Sequence, residues 1–311
     1  MTDGRAFLTR SAAIASIAMA LFLAVLKGWA VWRTGSTAML GSLADTSLDL
    51  IASLATLVGV WVAAMPADED HRFGHGKAEA LAAMFQVILI VLSAGAIAFR
   101  AVTRLIEGGR TEAAEQGIVV SAIAILATFA LLAWQRHVIR QTGSLAIRTD
   151  NAHYTSDLFL NLAVIAALAI DQYLGFAQAD PLFGLAIAAW LVWGAWRASR
   201  EAVDNLMDRE WPEEKRLRFI ERAALHPELS KLHDLRTRTS GNRDFAQFHV
   251  DLPPAMTVAE AHDVIARVED DLCRAFPGVE LLIHIDPEGH VDDPGNKLVE
   301  SDAFARLESK S

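Results

Sequence analysis

The sequence has little cysteine, and it lacks the short motifs that mark most nucleotide-binding and catalytic sites. Cys273 is the single cysteine of the 311 residues, which excludes an internal disulfide, and we interpret it as a small apolar filler on a helix. We find no Walker or Rossmann glycine fingerprint, no nucleophile elbow and no HExxH pattern. The net charge of −10 argues against a nucleic-acid partner. We therefore expect neither an organic cofactor nor enzymatic activity.

Charge is also scarce over long parts of the chain. The mean hydropathy of +0.28 and the 53% hydrophobic content are too high for an average soluble protein. A helix needs about 20 apolar residues to cross a hydrocarbon core about 30 Å thick. Six stretches reach or approach this length: 11–32, 38–65, 78–100, 116–135, 153–171 and 180–198. We predict an all-α transmembrane domain of six helices over residues 1–207.

Basic residues near the predicted span ends indicate the orientation in the membrane. They are concentrated before the first span, between the second and third, between the fourth and fifth, and after the sixth. In that order they are Arg5 and Arg10; Arg72 and Lys77; Arg136, Arg140 and Arg148; Arg197 and Arg200. We predict a multi-pass protein of the cell inner membrane with both termini in the cytoplasm.

A charged, cytoplasmic second domain is predicted over residues 208–290, followed by a flexible tail at 291–311. Three segments favour strands: Lys231–Arg238, Phe245–Leu252 and Val279–Asp286. A helix from about Pro212 to Leu225 precedes them. A second helix starts after Thr257, a candidate N-cap with Glu260 three residues on. The order αββαβ predicts a small α+β layer.

Two pairs of metal-capable residues interrupt the apolar stretches. Asp45 and Asp49 lie in the second stretch, and His153 and Asp157 open the fifth. An i, i+4 spacing puts both members of a pair on one helix face. A carboxylate at mid-bilayer costs on the order of 3 kcal/mol, so we do not expect several of them in membrane spans without a functional role. If the second and fifth helices pack together, these four side chains would form a tetrahedral N/O site for a divalent cation. The alternatives are polar contacts between helices and a permanently bound structural metal.

Charge at such a site suggests a transport mechanism. Three carboxylates and an imidazole carry up to three negative charges, and an empty ionised site is very unfavourable in a low dielectric. Metal ions and protons therefore compete for the same atoms. Alternating exposure of the site to the two sides would couple metal exit to proton entry.

The loop after the second span carries another candidate cluster. Asp68, His71 and His75 have the residue types of a three-ligand zinc site, and Asp70 is a substitute for Asp68. The alternative is a polar loop with two solvated histidines.

At these residues the chain resembles the cation diffusion facilitator family. The resemblance covers about residues 10 to 290 and is carried by five motifs: GSLADTSLDL (41–50), PADEDHRFGHGKAEALAA (66–83), TDNAHYTSDLFLN (149–161), NLMDRE (205–210) and HDLRTRTSG (233–241). It implies a homodimer with six spans and a cytoplasmic ferredoxin-like domain, exporting Zn²⁺ or a related dication against inward proton flow. Asp45, Asp49, His153 and Asp157 match the family's transport site. Cd²⁺ and Fe²⁺ remain candidate substrates because the first ligand position is Asp45 rather than histidine.

The resemblance also implies two features that the residue pattern alone leaves open. One is a binuclear metal site bridging the subunits, with ligands on the polar strand faces and the second helix. Its residues would be His233, His249, His262, His284 and Asp286. Ile285 departs from relatives that offer a polar group there. The other is a charge interlock between Lys77 and Asp208, for which two separate interfacial charges are the alternative.

The sequence leaves several functions open. The leading interpretation is a proton-coupled metal exporter. A channel or an uptake carrier would use the same site, because direction depends on the gradients. A non-transporting membrane metal sensor would need only the soluble ligands, so the intramembrane pairs favour transport. An intramembrane metalloenzyme is weaker, since no spare general base accompanies the ligands.

Overall fold

The computed structural model describes residues 2–34, 37–107, 115–174, 178–229, 231–241, 243–289 and 303–304. Within the helices, some side chains also fall outside this description, among them that of Asp45. The chain divides into two compact units, Met1–Val203 and Asp204–Ser311.

All regular secondary structure in the described part of the first unit is helical. Its long apolar segments form helices because only helices satisfy every backbone hydrogen bond without water. The helices are α1 (Thr2–Thr34), α2 (Thr37–Ala63), α3 (Ala78–Glu107), α4 (Glu115–Thr142), α5 (Leu145–Leu174) and α6 (Ala179–Leu206).

Five of these helices, α1–α4 and α6, are long and apolar enough to cross a membrane when the described residues are searched. The predicted sixth span is therefore not confirmed, because α5 is not among them. Many residues in the second half of α5 lie outside the described part of the chain, so the sixth span stays a prediction. A helix whose first half carries Arg148, Asp150, His153 and Asp157 is compatible with lipid only if that half faces protein or water.

Helix α5 contacts α1, α2, α3 and α4. At its start, Ala146 and Ile147 are fully buried and pack with Ala12 and Ala13 of α1 in one core cluster. Small residues at such contacts let helix backbones approach closely. This packing places the polar first half of α5 inside the bundle.

The second unit has the predicted order αββαβ. Its elements are α7 (Glu213–Ala223), β1 (Leu232–Ser240), β2 (Arg243–Leu252), α8 (Val258–Ala275) and β3 (Val279–Pro287). Strand β2 lies in the centre of the sheet, antiparallel to β1 and parallel to β3.

The strand faces follow the period-two pattern of the sequence. Phe248 and Val250 of β2 are buried in the core with Phe219 of α7 and Leu272 of α8. On the opposite face, the register aligns His249 with both His233 and His284. The sheet therefore gathers residues that are distant in sequence on one polar face.

Two local details complete this unit. The predicted capping box at α8 is confirmed: Thr257 Oγ1 accepts from the Glu260 amide, and the Glu260 carboxylate accepts from the Thr257 amide at 2.8 Å. Of the predicted tail, Ala303 and Phe304 are described. They pack against the core, and the Ala303 amide donates to the Leu232 carbonyl at 2.7 Å.

Candidate metal sites

The first cluster lies inside the helical unit, between α2 and α5. Asp49, His153 and Asp157 each offer a ligand atom within 4.8 Å of the other two. His153 Nε2 lies 2.9 Å from Asp49 Oδ1 and 3.7 Å from Asp157 Oδ2. His153 is 6% exposed. One imidazole between two carboxylates is a donor set that suits a divalent cation such as Zn²⁺.

The fourth predicted ligand, Asp45, lies one turn before Asp49 on α2. Its side chain is outside the described residues, so its assignment to this cluster stays a prediction.

A cavity of about 230 Å³ adjoins the cluster. Asp49 and Asp157 line it, together with Lys27 of α1 and Arg100 of α3. The Lys27 ammonium also donates to Thr46 Oγ1 at 2.6 Å. The cavity thus leads from the cluster towards the bundle end that holds the C-termini of α1 and α3.

A layer of buried hydrogen bonds lies towards the other end of the bundle. Tyr154, next to His153, donates to the Ser16 carbonyl at 3.1 Å and contacts Ser53 Oγ at 3.0 Å. One turn before His153, the fully buried Asp150 accepts from Ser16 Oγ at 2.6 Å. Sequence reasoning missed Asp150, although its place three residues before His153 on the same helix was a signal for it.

The loop after α2 brings its three predicted ligands together. Asp68, His71 and His75 each offer a ligand atom within 4.8 Å of the others. Asp68 Oδ1 lies 3.2 Å from His71 Nδ1, and Asp68 Oδ2 lies 3.3 Å from His75 Nε2. Gly74 adopts φ +79°, which favours glycine in this turn.

Local hydrogen bonds hold the Asp68 carboxylate near the two histidines. The backbone amide of His71 donates to Asp68 Oδ1 at 2.6 Å, and that of Asp70 donates at 3.1 Å. The His71 amide, with smaller contributions from the His71 and His75 side chains, lowers the pKa of Asp68. Asp70 enters the arrangement through its backbone, which favours Asp68 as the carboxylate ligand.

The third cluster lies on the polar face of the sheet. His233, His249 and Asp286 offer ligand atoms within 4.8 Å of one another. Asp286 Oδ2 lies 2.8 Å from His249 Nδ1 and 3.7 Å from His233 Nε2. Asp251, which we did not predict, lies 3.1 Å from His233 Nε2.

The two other predicted ligands of this domain are more peripheral. His284 Nε2 lies 3.4 Å from Asp286 Oδ1, and its side chain is 64% exposed. His262, on the exposed side of α8, lines a groove of about 480 Å³ together with Asp286 and Ile285. His262 therefore lies near the cluster, but among the described residues its imidazole is not one of the grouped ligand atoms.

The predicted interlock joins residues of the two units, so it stays a prediction. Lys77 directly precedes α3. Asp208 has φ +56°, and its carboxylate lies 3.5 Å from the guanidinium of Arg238 within the second unit.

Two family domains cover this architecture. The cation efflux transmembrane domain matches residues 13–207, and the cytoplasmic domain of cation efflux proteins, a dimerisation domain, matches residues 211–288. Both family models describe parts of cation efflux proteins, so they place the chain in the class of cation transporters. The chain belongs to the cation efflux (cation diffusion facilitator) family and is a cation efflux transporter of the membrane.

Individual relatives agree with this assignment. The cation-efflux pump FieF of Klebsiella pneumoniae is 41% identical over 284 residues, covering 91% of this chain and 94% of the pump. FieF of Escherichia coli K12 is 39% identical over 290 residues, covering 93% of this chain and 96% of the pump. Among solved structures, the Zn form of the transporter CzrB is 36% identical, covers 28% of this chain and 99% of its own, and has a TM-score of 0.25.

Proposed function

We propose that this protein is an antiporter that exports Zn²⁺ from the cytoplasm in exchange for protons, with Cd²⁺ and Fe²⁺ as further substrates. The observation that carries the proposal is the convergence of Asp49, His153 and Asp157 beside a cavity inside the helical unit. Asp45, one turn before Asp49, completes a four-ligand tetrahedral site. Three carboxylates and one imidazole provide the hard and borderline ligands that these dications accept.

Proton coupling follows from the chemistry of the same atoms. His153 binds metal only when it is neutral, and the carboxylates bind only when they are ionised. Asp49 Oδ1 and Asp157 Oδ2 both lie near the same imidazole nitrogen, His153 Nε2, so the negative charges and a proton-accepting atom belong to one cluster. Metal release and proton uptake are therefore alternative ways to neutralise one cluster.

The domain boundaries and orientation belong to the same proposal. Residues 1–207 form the transport domain of an inner-membrane protein, with both termini in the cytoplasm. Of the predicted tail at 291–311, Ala303 and Phe304 pack against the core of the second unit. Residues 208–290 form the regulatory and dimerisation domain of a homodimer. The support for this role is the cluster around Asp286, next to the groove that His262 lines. A second subunit in that groove would bring further ligands to the cluster.

The test uses proteoliposomes that contain a pH-sensitive dye and are exposed in turn to Zn²⁺, Cd²⁺ and Fe²⁺. Metal flux should be accompanied by opposite proton flux. Asp49→Asn should abolish both fluxes, whereas Asp263→Asn, on the exposed side of α8, should retain both. Metal flux that is indifferent to an imposed proton gradient would contradict antiport.

The interlock between Lys77 and Asp208 has a separate test. Reversing the charge of Lys77 with Lys77→Glu should impair transport, and adding Asp208→Lys should restore it. The Arg238 contact of Asp208 makes Arg238→Ala the matched control, since it removes the described ion pair without touching Lys77. Failure of the double variant to recover would count against the pairing.

A further inference from the structure

Asp150 is a carboxylate in the transmembrane unit that the ligand cluster does not use. Its side chain is 0% exposed. Ser16 Oγ and Gln135 Nε2 lie 2.6 and 2.7 Å from Oδ2, and Gln86 Nε2 lies 2.9 Å from Oδ1. These partners come from α1, α4 and α3, so four helices meet at one charged group.

The surrounding hydrogen bonds orient the Gln135 amide, whereas Gln86 makes both of its contacts through Nε2 and its buried Oε1 has no partner among the described residues. Thr56 Oγ1 donates to the Ala52 carbonyl, so it accepts at 2.5 Å from Gln86 Nε2. Gln135 Oε1 accepts from Asn151 Nδ2 at 3.0 Å, which leaves Gln135 Nε2 as the donor to Asp150. Amide N–H donors therefore face both oxygens of Asp150, an arrangement that suits a carboxylate anion. The Ser16 hydroxyl also donates to the Ala12 carbonyl at 3.1 Å, so its contact with Asp150 is compatible with either charge state.

The described hydrogen-bond partners of Asp150 carry no charge. A lysine or arginine would cancel the negative charge, whereas amide and hydroxyl groups stabilise it and leave its field in place. A charge buried in a low dielectric acts over several ångströms, and Asp150 lies one helical turn before His153. A dication held by His153 and its neighbours would feel that field.

A purely structural role is the main alternative, because buried hydrogen bonds also hold helices together. An amide or a hydroxyl would serve that purpose without the cost of burying a charge between membrane helices. The chain uses neutral groups at every other member of the layer, namely Ser16, Thr56, Gln86, Gln135 and Asn151.

We propose that Asp150 is a positioning residue of the transport site, whose negative charge increases the affinity of the Asp49–His153–Asp157 cluster for a dication without binding it. The proposal rests on the proposed function, because it requires that cluster to bind metal. Asp150 lies on the side opposite the cavity, where a ligand leaving through the cavity does not pass it.

The experiment measures Zn²⁺ binding by calorimetry on the full chain in detergent. The background protein carries His75→Ala, His249→Ala and His284→Ala, so that binding reports the transmembrane cluster. In this background, Asp150→Asn keeps the size of the side chain and removes its charge, but its amide nitrogen replaces one acceptor with a donor, which is why a second variant is needed. We expect the dissociation constant for Zn²⁺ to rise by a factor of about ten or more.

A second variant separates charge from structure. Asp150→Asn combined with Gln86→Glu exchanges the amide and the carboxylate across one hydrogen bond, which restores the charge in the same layer. We expect this exchange to recover most of the affinity. Asp263→Asn, which removes an exposed carboxylate of α8, is the control and should leave the dissociation constant unchanged.

Each result decides the matter. Unchanged affinity in Asp150→Asn, or a loss that the exchange variant does not recover, would overturn the role of the charge. If Asp150→Asn does not fold, the exchange variant decides. A folded exchange variant that binds Zn²⁺ nearly as tightly as the background protein supports the role of the charge. An exchange variant that is unfolded, or that binds Zn²⁺ weakly, overturns it. A background protein that binds no Zn²⁺ would overturn the proposed function as well, which distinguishes the two failures.

Discussion

At the scale of single residues, Asp286 is the centre of the cytoplasmic cluster. Its two oxygens lie within 3.7 Å of three imidazoles, those of His233, His249 and His284. Asp251 contacts one of them, His233. Both aspartates are buried to the same degree, so they differ in contacts rather than in environment.

This difference predicts unequal effects of the same substitution. Asp286→Asn should weaken Zn²⁺ binding to the cytoplasmic unit by more than about 100-fold, because a shared ligand is lost. Asp251→Asn should cost about tenfold, the lower end for a group that orients a ligand. Calorimetric titration of residues 204–311 measures both, and equal losses would show that Asp251 binds the metal directly.

At the scale of elements, α2 and α3 approach closely at Gly59. A Cβ atom at this position would overlap the Ala82 methyl group and lie 3.1 Å from the Ala78 carbonyl oxygen. Gly95 of α3 has open space around its Cα. The contact holds α2, which carries Asp49, against α3.

Gly59→Val should therefore lower the thermal stability of the detergent-solubilised protein. Overpacking of this kind costs on the order of 1–3 kcal/mol, and the helices must separate to accommodate it. Gly95→Val makes the same chemical change where nothing is displaced, and it serves as the control. Equal unfolding temperatures for the two variants would contradict the close approach.

The helices α7 and α8 of the second unit are joined by an ion pair. The Arg222 guanidinium binds Asp271 through two nitrogens, and His226 Nε2 lies 3.1 Å from the same carboxylate. Arg222 is the main cause that lowers the pKa of Asp271 below its usual range. A carboxyl group whose pKa is lower in the folded state stabilises that state above its unfolded pKa, and this contribution is lost as the pH falls through the folded value.

Asp271→Asn should accordingly reduce the unfolding temperature of residues 204–311 at pH 7. The difference from the unmodified domain should shrink as the pH falls below about 4, the ordinary aspartate value, and vanish once Asp271 is protonated in both states. Circular dichroism melts between pH 3 and pH 7 provide the measurement. A difference that persists undiminished at low pH would assign the effect to packing.

At the scale of the whole molecule, two units with separate cores carry three candidate metal-ligand clusters, two in the first unit and one in the second. In the transmembrane cluster His153 is buried, while Asp49 and Asp157 are partly exposed to a cavity. The sheet cluster includes the exposed His284 and adjoins a groove. Metal bound there across a subunit interface would link the cytoplasmic metal level to the geometry of the dimer.

His249→Ala combined with His284→Ala should therefore shift the concentration dependence of Zn²⁺ transport to higher metal while sparing transport at saturating metal. His137→Ala, at an exposed imidazole of α4, should leave the curve in place. Flux measurements in proteoliposomes over a range of Zn²⁺ concentrations distinguish the two. An unshifted curve for the double variant would remove the regulatory role of the cluster.

Much of this organisation could be read from local patterns. The αββαβ order and the Thr257 capping box were predictable because alternation and capping depend on neighbouring residues. The i, i+4 pairs were visible for the same reason. The sixth span, α5, stays a prediction because part of that helix lies outside the described residues.

The sequence by itself determined the two-part architecture, the family and the residues able to bind metal, because hydropathy and helical spacing are local properties. Only the tertiary structure decided that Asp150 is shared by four helices, that Asp251 contacts His233 and that Asp286 lies among three histidines. These contacts join residues far apart in the chain. Their partners are chosen by packing, which no local pattern records.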